Sequence, residues 1–324
     1  MKLQILIPQY KETDEVIKPL LDSIAIQQNV SMDDIGVIIT NDGTDIHLSE
    51  SFLNSYPFKV EYYLNEHEGV SATRNYCLDK STADYVMFCD ADDMFYNACG
   101  LWIIFREMQT GFDALSSVFI EETRNPQTKE IVYINRDTDS TFVHGKIYRR
   151  QYLVDEKIRF NPKLTIHEDS YFNCLAQKCA NEFKYCPTSF YLWKWRDDSV
   201  CRHDPKYILK TYNNMLDSNT ALVKELLNRQ KVQDAQFYSV AMIYDAYFTM
   251  NKAEWLNQEN QEYRHNTELR FKSYYKEFKD LFDSIQEQIK AQIIMGVKNR
   301  FFQEGLLMET ITFDDWIKHI EVME

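Results

Sequence analysis

Short apolar runs alternate with helically spaced apolar positions along the chain up to about residue 205. Lys2–Ile7 is an apolar run stopped by Pro8, the pattern of a buried strand. Asp14–Gln28 then sets Val16, Ile17, Leu20, Leu21, Ile24 and Ala25 on one helical face, with Pro19 marking a kink or a delayed start. Ile35–Thr40 and Val60–Leu64 read as the second and third strands, Gly69–Leu78 as a helix and Tyr85–Cys89 as a fourth strand. Each run ends in polar residues. Strand–helix alternation of this kind predicts a parallel sheet with one functional edge, at the carboxyl ends of its strands.

Ala98–Thr110 continues as a predicted helix, Ala114–Glu121 and Ile131–Asn135 as strands, and Thr141–Tyr148 as a strand with Gly145 inside it. Arg149–Glu156 and Ser170–Lys178 have helical spacing, and Thr188–Trp195 reads as an aromatic strand. Beyond Pro205 the texture changes: proline is absent and glycine is confined to Gly296 and Gly305. Long amphipathic helices are predicted there, over Tyr207–Asn228, Val232–Trp255, Tyr263–Ile293 and Asp314–Ile320. The expected organisation is an α/β domain over 1–204 followed by a helical domain over 205–324.

A chain of 324 residues is long enough for such a pair of cores. Its net charge of −14 argues against general nucleic-acid binding. None of the seven cysteines forms a CxxC pair, which fits reduced, buried thiols. Met1 leads almost at once into a strand, and no apolar run reaches the ~18 residues of a membrane span. A cytoplasmic protein is expected, with peripheral contact at the inner face of a membrane left open. No GxGxxG follows the first strand and no GxxxxGK[ST] occurs, which disfavours a dinucleotide-dependent dehydrogenase or a P-loop enzyme.

The chemistry concentrates where the fourth strand ends, at Asp90, Asp92 and Asp93. Unpaired carboxylates do not belong in a core. A divalent cation between them would neutralise their repulsion and grip a diphosphate; a solvated acidic turn or helix cap is the other reading. Similar polar loops follow the earlier strands: Ile7-Pro-Gln-Tyr-Lys11, Asn41-Asp-Gly-Thr44 and Gly69-Val-Ser-Ala-Thr-Arg-Asn75, with His167-Glu-Asp169 further on.

These five motifs, in this order, resemble those of the family 2 inverting glycosyltransferases, over roughly residues 3 to 195. The resemblance implies a GT-A (Rossmann-like) fold, a mixed and mostly parallel sheet flanked by helices. It implies transfer of a sugar from a nucleotide diphosphate, a UDP-sugar foremost, to a hydroxyl of a carbohydrate or glycolipid acceptor. It also implies Mn²⁺ or Mg²⁺ as cofactor. By position, Asp42 matches the acid that contacts the nucleobase, and Pro8 and Tyr10 line the same pocket. Arg74 matches an arginine that steadies the nucleotide. Asp90 matches the ribose-binding acid, Asp92 the metal ligand, Asp93 a support for donor sugar or loop, and Asp169 the catalytic base. His203 is a candidate further metal ligand, with an ordinary surface histidine as the alternative. Asn41 and Lys11 depart from the family pattern. His144, Trp193 and Trp195 could line an acceptor site or only pack, and Lys146, Arg149 and Arg150 could face the diphosphate or form a solvated turn. The helical tail is expected to pack on its own core, with an oligomer contact left open. A non-catalytic sugar-nucleotide-binding module, or a protein or modified-nucleobase acceptor, are the alternatives.

Overall fold

A computed structural model of the chain describes residues 1–125, 127–137, 139–197, 206–303 and 311–323. The chain divides into two compact units, Met1–Ser199 and Val200–Glu324.

The first unit is built on one mixed sheet. Its strands are β1 (Leu3–Gln9), β2 (Ile35–Asp42), β3 (Lys59–Asn65), β4 (Tyr85–Phe88), β5 (Met94–Phe95), β6 (Ala114–Arg124), β7 (Ile131–Arg136), β8 (Lys146–Arg149) and β9 (Phe183–Trp193). Its helices are α1 (Asp14–Ala25), α2 (Glu50–Leu53), α3 (Val70–Lys80), α4 (Gly100–Met108), α5 (Arg150–Asp155) and α6 (Glu168–Cys179). The strand order is β3-β2-β1-β4-β8-β6-β9-β5, with β7 paired to β6. β3, β2, β1 and β4 are mutually parallel, β8 is antiparallel to β4 and β6, and β9 is parallel to β6. This is a mixed, GT-A-like sheet flanked by helices, with four parallel and four antiparallel pairings. Buried apolar residues of β1, β2 and β4 pack with Ile17, Leu20, Leu21 and Ile24 of α1 in its main core.

Four elements differ from the sequence expectation. β1 runs on through Pro8 to Gln9, because its pairing with β4 ends at Leu6–Phe88 and the ring lies where only β2 is a neighbour. α1 likewise runs through Pro19. Residues 141–145 are not strand: Asp139 Oδ1 accepts from the Thr141 and Phe142 N–H groups (2.8 and 2.9 Å), and Gly145 sits at φ +67°. Only Lys146–Arg149 joins the sheet. β9 begins earlier than expected because Pro187 falls in the irregular stretch between its two registers with β6.

The second unit is helical: α7 (Tyr207–Asn228), α8 (Val232–Met250), α9 (Ala253–Leu256), α10 (Gln261–Ser284), α11 (Glu287–Gln303) and α12 (Phe313–Val322). One long helix was expected over 263–293. Instead the chain breaks at Ile285, which turns extended (ψ 141°) and is buried. No glycine or proline marks that break. On α11, Ile293 and Phe301 face inward, while Met295 and Phe302 are exposed. Among the described residues, no helix is long and apolar enough to cross a membrane.

Candidate active site

Parallel strands bring the first polar loops to one edge. Asp42 closes β2, and its carboxylate accepts from the N–H groups of Glu68 (3.0 Å) and Gly69 (3.1 Å) and lies 2.9 Å from His67 Nδ1. The turn before α3 is thus folded around this one buried acid. Gly43 follows at φ +68°, and a Cβ there would stand 2.4 Å from the His67 backbone nitrogen. Gly43→Ala should therefore push residues 67–69 off Asp42 and cost about 1–2 kcal/mol from the left-handed backbone alone. Urea unfolding reads this; an unchanged midpoint would mean the turn yields freely.

Pro8 and Tyr10 flank Gln9. The buried Gln9 side chain donates to the carbonyls of Glu12 (2.7 Å) and Ile46 (3.0 Å) and accepts from the Tyr62 hydroxyl (3.0 Å), fixing this loop. Tyr10 is exposed and stacks on His67, ring centroids 5.0 Å apart. Asn41 accepts from the Thr44 N–H (2.8 Å) and donates to the Ile46 carbonyl (2.8 Å), so it braces its own turn. Gln9 and His67 carried no recognisable local pattern.

Arg74, on α3, is buried and sits at the centre of the acids. Its Nη1 donates to Glu168 Oε1 (2.9 Å) and Asp169 Oδ1 (2.6 Å), its Nη2 to Asp90 Oδ1 (2.9 Å), and its plane lies over Phe160. Burial disfavours its charge, but Asp169, Asp90 and Glu168 outweigh that and hold it ionised. Asp90 is opposed by burial yet is held below the usual carboxylate range by the Arg74 charge and hydrogen bond.

Asp169 opens α6. Its Oδ2 also accepts from the Val143 N–H (3.3 Å). Burial, with Glu168 and Asp90 nearby, lifts it to about 8 despite Arg74. The residue ahead of this pair, His167, is held at φ +63°, a left-handed conformation that non-glycine residues seldom take and that recurs at functional sites.

The three strand-end acids have separate surroundings. Asp92 faces Arg196, 3.0 Å away, and its carboxyl is raised by burial and by Asp90. Asp93 is buried, accepting from the Tyr191 hydroxyl (2.6 Å) and the Lys194 N–H (2.9 Å); burial and its two acidic neighbours push it well up. His144 is stacked against Tyr191 and Phe142, its Nδ1 buried without a hydrogen-bond partner and 3.7 Å from Asp93. Burial lowers it to about 4, a neutral imidazole.

Asp90, Asp93 and His144 each place one donor atom within 4.8 Å of the others. Two carboxylates and an imidazole suit a divalent cation. A cation that must also reach a ligand needs open coordination positions, which favours the solvent side: Asp90 and Asp92 are 32% and 29% exposed, Asp93 only 1%. Asp93 and His144 support that edge from below. His203 lies outside the described residues; among those described, the cationic partner facing Asp92 is Arg196, which as part of Arg196-Asp-Asp-Ser199 read only as a turn.

Of the other candidates, Trp193 alone borders the Asp90, Asp93 and His144 group. Trp193 packs beside His144 and Phe142, centroids 5.0 Å apart in each case. Trp195 lies beyond β9, its Nε1 donating to Asp197 (2.9 Å). Arg149 pairs with Asp113 and Arg150 with Ser81, so neither faces the acids. Lys146 is buried on β8.

A mixed sheet with its acidic loops at the carboxyl edge is the arrangement of a GT-A-like α/β domain. Residues 4–99 match the family described as Glycosyl transferase family 2. Poly(ribitol-phosphate) beta-N-acetylglucosaminyltransferase TarS of Staphylococcus aureus is 25% identical over 217 residues, 60% of this chain and 35% of TarS. EpsH of Bacillus subtilis, assigned as a glycosyltransferase, is 23% identical over 66% of this chain and 67% of its own length. The chain thus spans about a third of TarS and two thirds of EpsH. The structure of TarS residues 1–349 in complex with UDP-GlcNAc superposes with a TM-score of 0.61, at 18% identity, covering 94% of this chain and 92% of that one. The similarity to glycosyl transferase family 2 thus lies in residues 4–99 of the N-terminal unit.

Proposed function

We propose that the protein is a metal-dependent inverting glycosyltransferase that moves a sugar from a UDP-sugar to a hydroxyl of a surface glycan or glycolipid. The observation that carries this reading is the Arg74 cluster. One guanidinium holds Asp90, at the end of β4, and Asp169, at the start of α6, so the donor-side acid and the base stand on one cation. The UDP-GlcNAc complex of TarS supports a UDP-sugar as donor for this chain.

In this reading Asp42, Pro8 and Tyr10 form the nucleobase pocket, with Tyr10 and its stacked His67 offering an aromatic face. Asp42 acts by shaping the 67–69 turn as well as by facing the base. Asp90 takes the ribose side. Asp92, with Asp90 beside it, holds Mn²⁺ or Mg²⁺, which when bound neutralises charge on the leaving diphosphate. Asp93 holds the loop. Arg74 positions Asp90 and Asp169. Asp169 accepts the proton of the acceptor hydroxyl as that oxygen bonds to the anomeric carbon. The carbon–oxygen bond to the diphosphate breaks in the same displacement and UDP leaves with the electron pair. Attack from the face opposite the diphosphate inverts the anomeric centre.

Incubation with a panel of UDP-sugars and glycan acceptors in Mn²⁺, with the anomeric product read by NMR, tests the whole reading; a retained anomer or no UDP release would sink it. Asp92→Asn tests the metal. It should reduce Mn²⁺-dependent UDP affinity at least about tenfold while metal-free affinity changes little. Calorimetry that finds the same Mn²⁺ dependence in the variant would remove Asp92 from the ligand set.

A further inference from the structure

Away from the Arg74 cluster, the face of the sheet under α6 carries a cavity of about 170 Å³. Register explains it. Lys146 on β8 pairs with Ser116 on β6, which pairs with Tyr185 on β9; the next row is Tyr148, Ala114, Phe183. Side chains two apart on a strand share a face. Both rows therefore put a small residue in the middle and long ones on either side. Two strand spacings, about 9–10 Å, separate the walls. Asn173 and Gln177, one helical turn apart on α6, line the same cavity.

One buried polar group here stands unsatisfied. Lys146 Nζ is buried and has no hydrogen-bond partner. Its nearest anion, Asp139 Oδ1, stands 3.7 Å away, too far for a direct bond. Asp139 is held there by the Thr141 and Phe142 N–H groups. A hydroxyl oxygen can close that gap, accepting from Nζ and donating to the carboxylate. A phosphate could accept from Nζ but would meet the Asp139 charge at once. Phe183 and Tyr185 are 39% and 40% exposed and give the mouth two aromatic faces. Room for a six-membered ring, a hydroxyl-matched Lys–Asp pair and aromatic walls are together the recognition chemistry of a pyranose; a 150 Å³ cavity already admits benzene.

We propose that this cavity is a saccharide subsite, taking one non-reacting sugar unit of an acceptor glycan between Lys146–Asp139 and the Phe183–Tyr185 faces. It rests on the functional reading above only in taking the ligand to be a saccharide of the acceptor. It is also tied to the base by the chain: Asn173 donates to the Thr141 carbonyl (2.6 Å), two residues before the Val143 N–H that holds Asp169. The acceptor is then a chain of at least two sugars, and a monosaccharide should be a poor substrate.

The test uses the full chain on a printed glycan array spanning mono- to hexasaccharides, then calorimetry with the best-bound oligosaccharide. Tyr185→Ala and Phe183→Ala, both at exposed positions, and Lys146→Met should each weaken that binding at least about tenfold, with UDP affinity in Mn²⁺ unchanged. Ser116→Val, which fills the middle of the first row, should do the same. Oligosaccharide binding that survives Tyr185→Ala and Ser116→Val overturns the subsite. So does an array with no saccharide bound while UDP still binds, an outcome that leaves the donor-site reading standing; loss of UDP binding in the unaltered protein would instead count against that reading.

Discussion

Asp169→Asn should lower the rate of sugar transfer by about 10³-fold while leaving UDP affinity within about twofold, since a positioned general base contributes roughly 10²–10⁴. The amide keeps the shape and still accepts from Arg74 through its oxygen, giving up only the long contact from the Val143 N–H, so the loss reports mainly basicity. The direction of the pH profile follows from the surroundings. Burial lifts Asp169 to about 8, against the pull of Arg74. Only the ionised carboxylate accepts a proton, so the rate should climb as pH rises through that value and level off above it. The residual rate of Asp169→Asn should show no such limb. A pH-independent rate in the unaltered enzyme between about pH 6 and 9, with chemistry limiting, would assign the base to another group.

Arg74→Met should be the most destabilising single change in the first unit. Removing one partner from a buried ion pair costs about 3–5 kcal/mol because the other charge stays behind. Here three carboxylates, on Asp90, Glu168 and Asp169, lose one guanidinium. Arg74→Lys should recover only a part, since an ammonium cannot match a planar fork reaching β4 and α6 together. Urea unfolding of the two variants checks this. A Met variant as stable as the parent would mean that the acids hold their places by packing and protonation.

The sheet was readable where its strands are buried on both faces. β1, β2 and β4 are apolar runs with one polar motif at each end, so strand, edge and ligand side all follow from the same few residues. Reading failed where local pattern and tertiary role diverge. Thr141–Gly145 reads as part of a strand, yet Asp139 and the left-handed Gly145 fold it into the turn that holds Asp169. Ile285 breaks a helix with no breaker residue because its side chain is needed in the core. The site was legible as a set of acids but not as a network. Arg74 finds Glu168 and Asp169 at separations of 94 and 95 residues, and Arg196 finds Asp92 at 104. No spacing rule reaches that far, and so the carboxylates gathered on Arg74 were not legible beside its expected nucleotide contact.

His167 has a consequence for anyone seeking to make this protein hardier. Its backbone sits at φ +63°, immediately ahead of Glu168 and Asp169. Glycine adopts that conformation without the penalty of about 1–2 kcal/mol that a side chain incurs. A search for thermostable variants should therefore return His167→Gly among its hits. The same substitution widens the conformations open to the backbone just ahead of Asp169, the proposed base. Selection for heat resistance and selection for turnover should pull this position in opposite directions, and a population screened for both should keep the histidine.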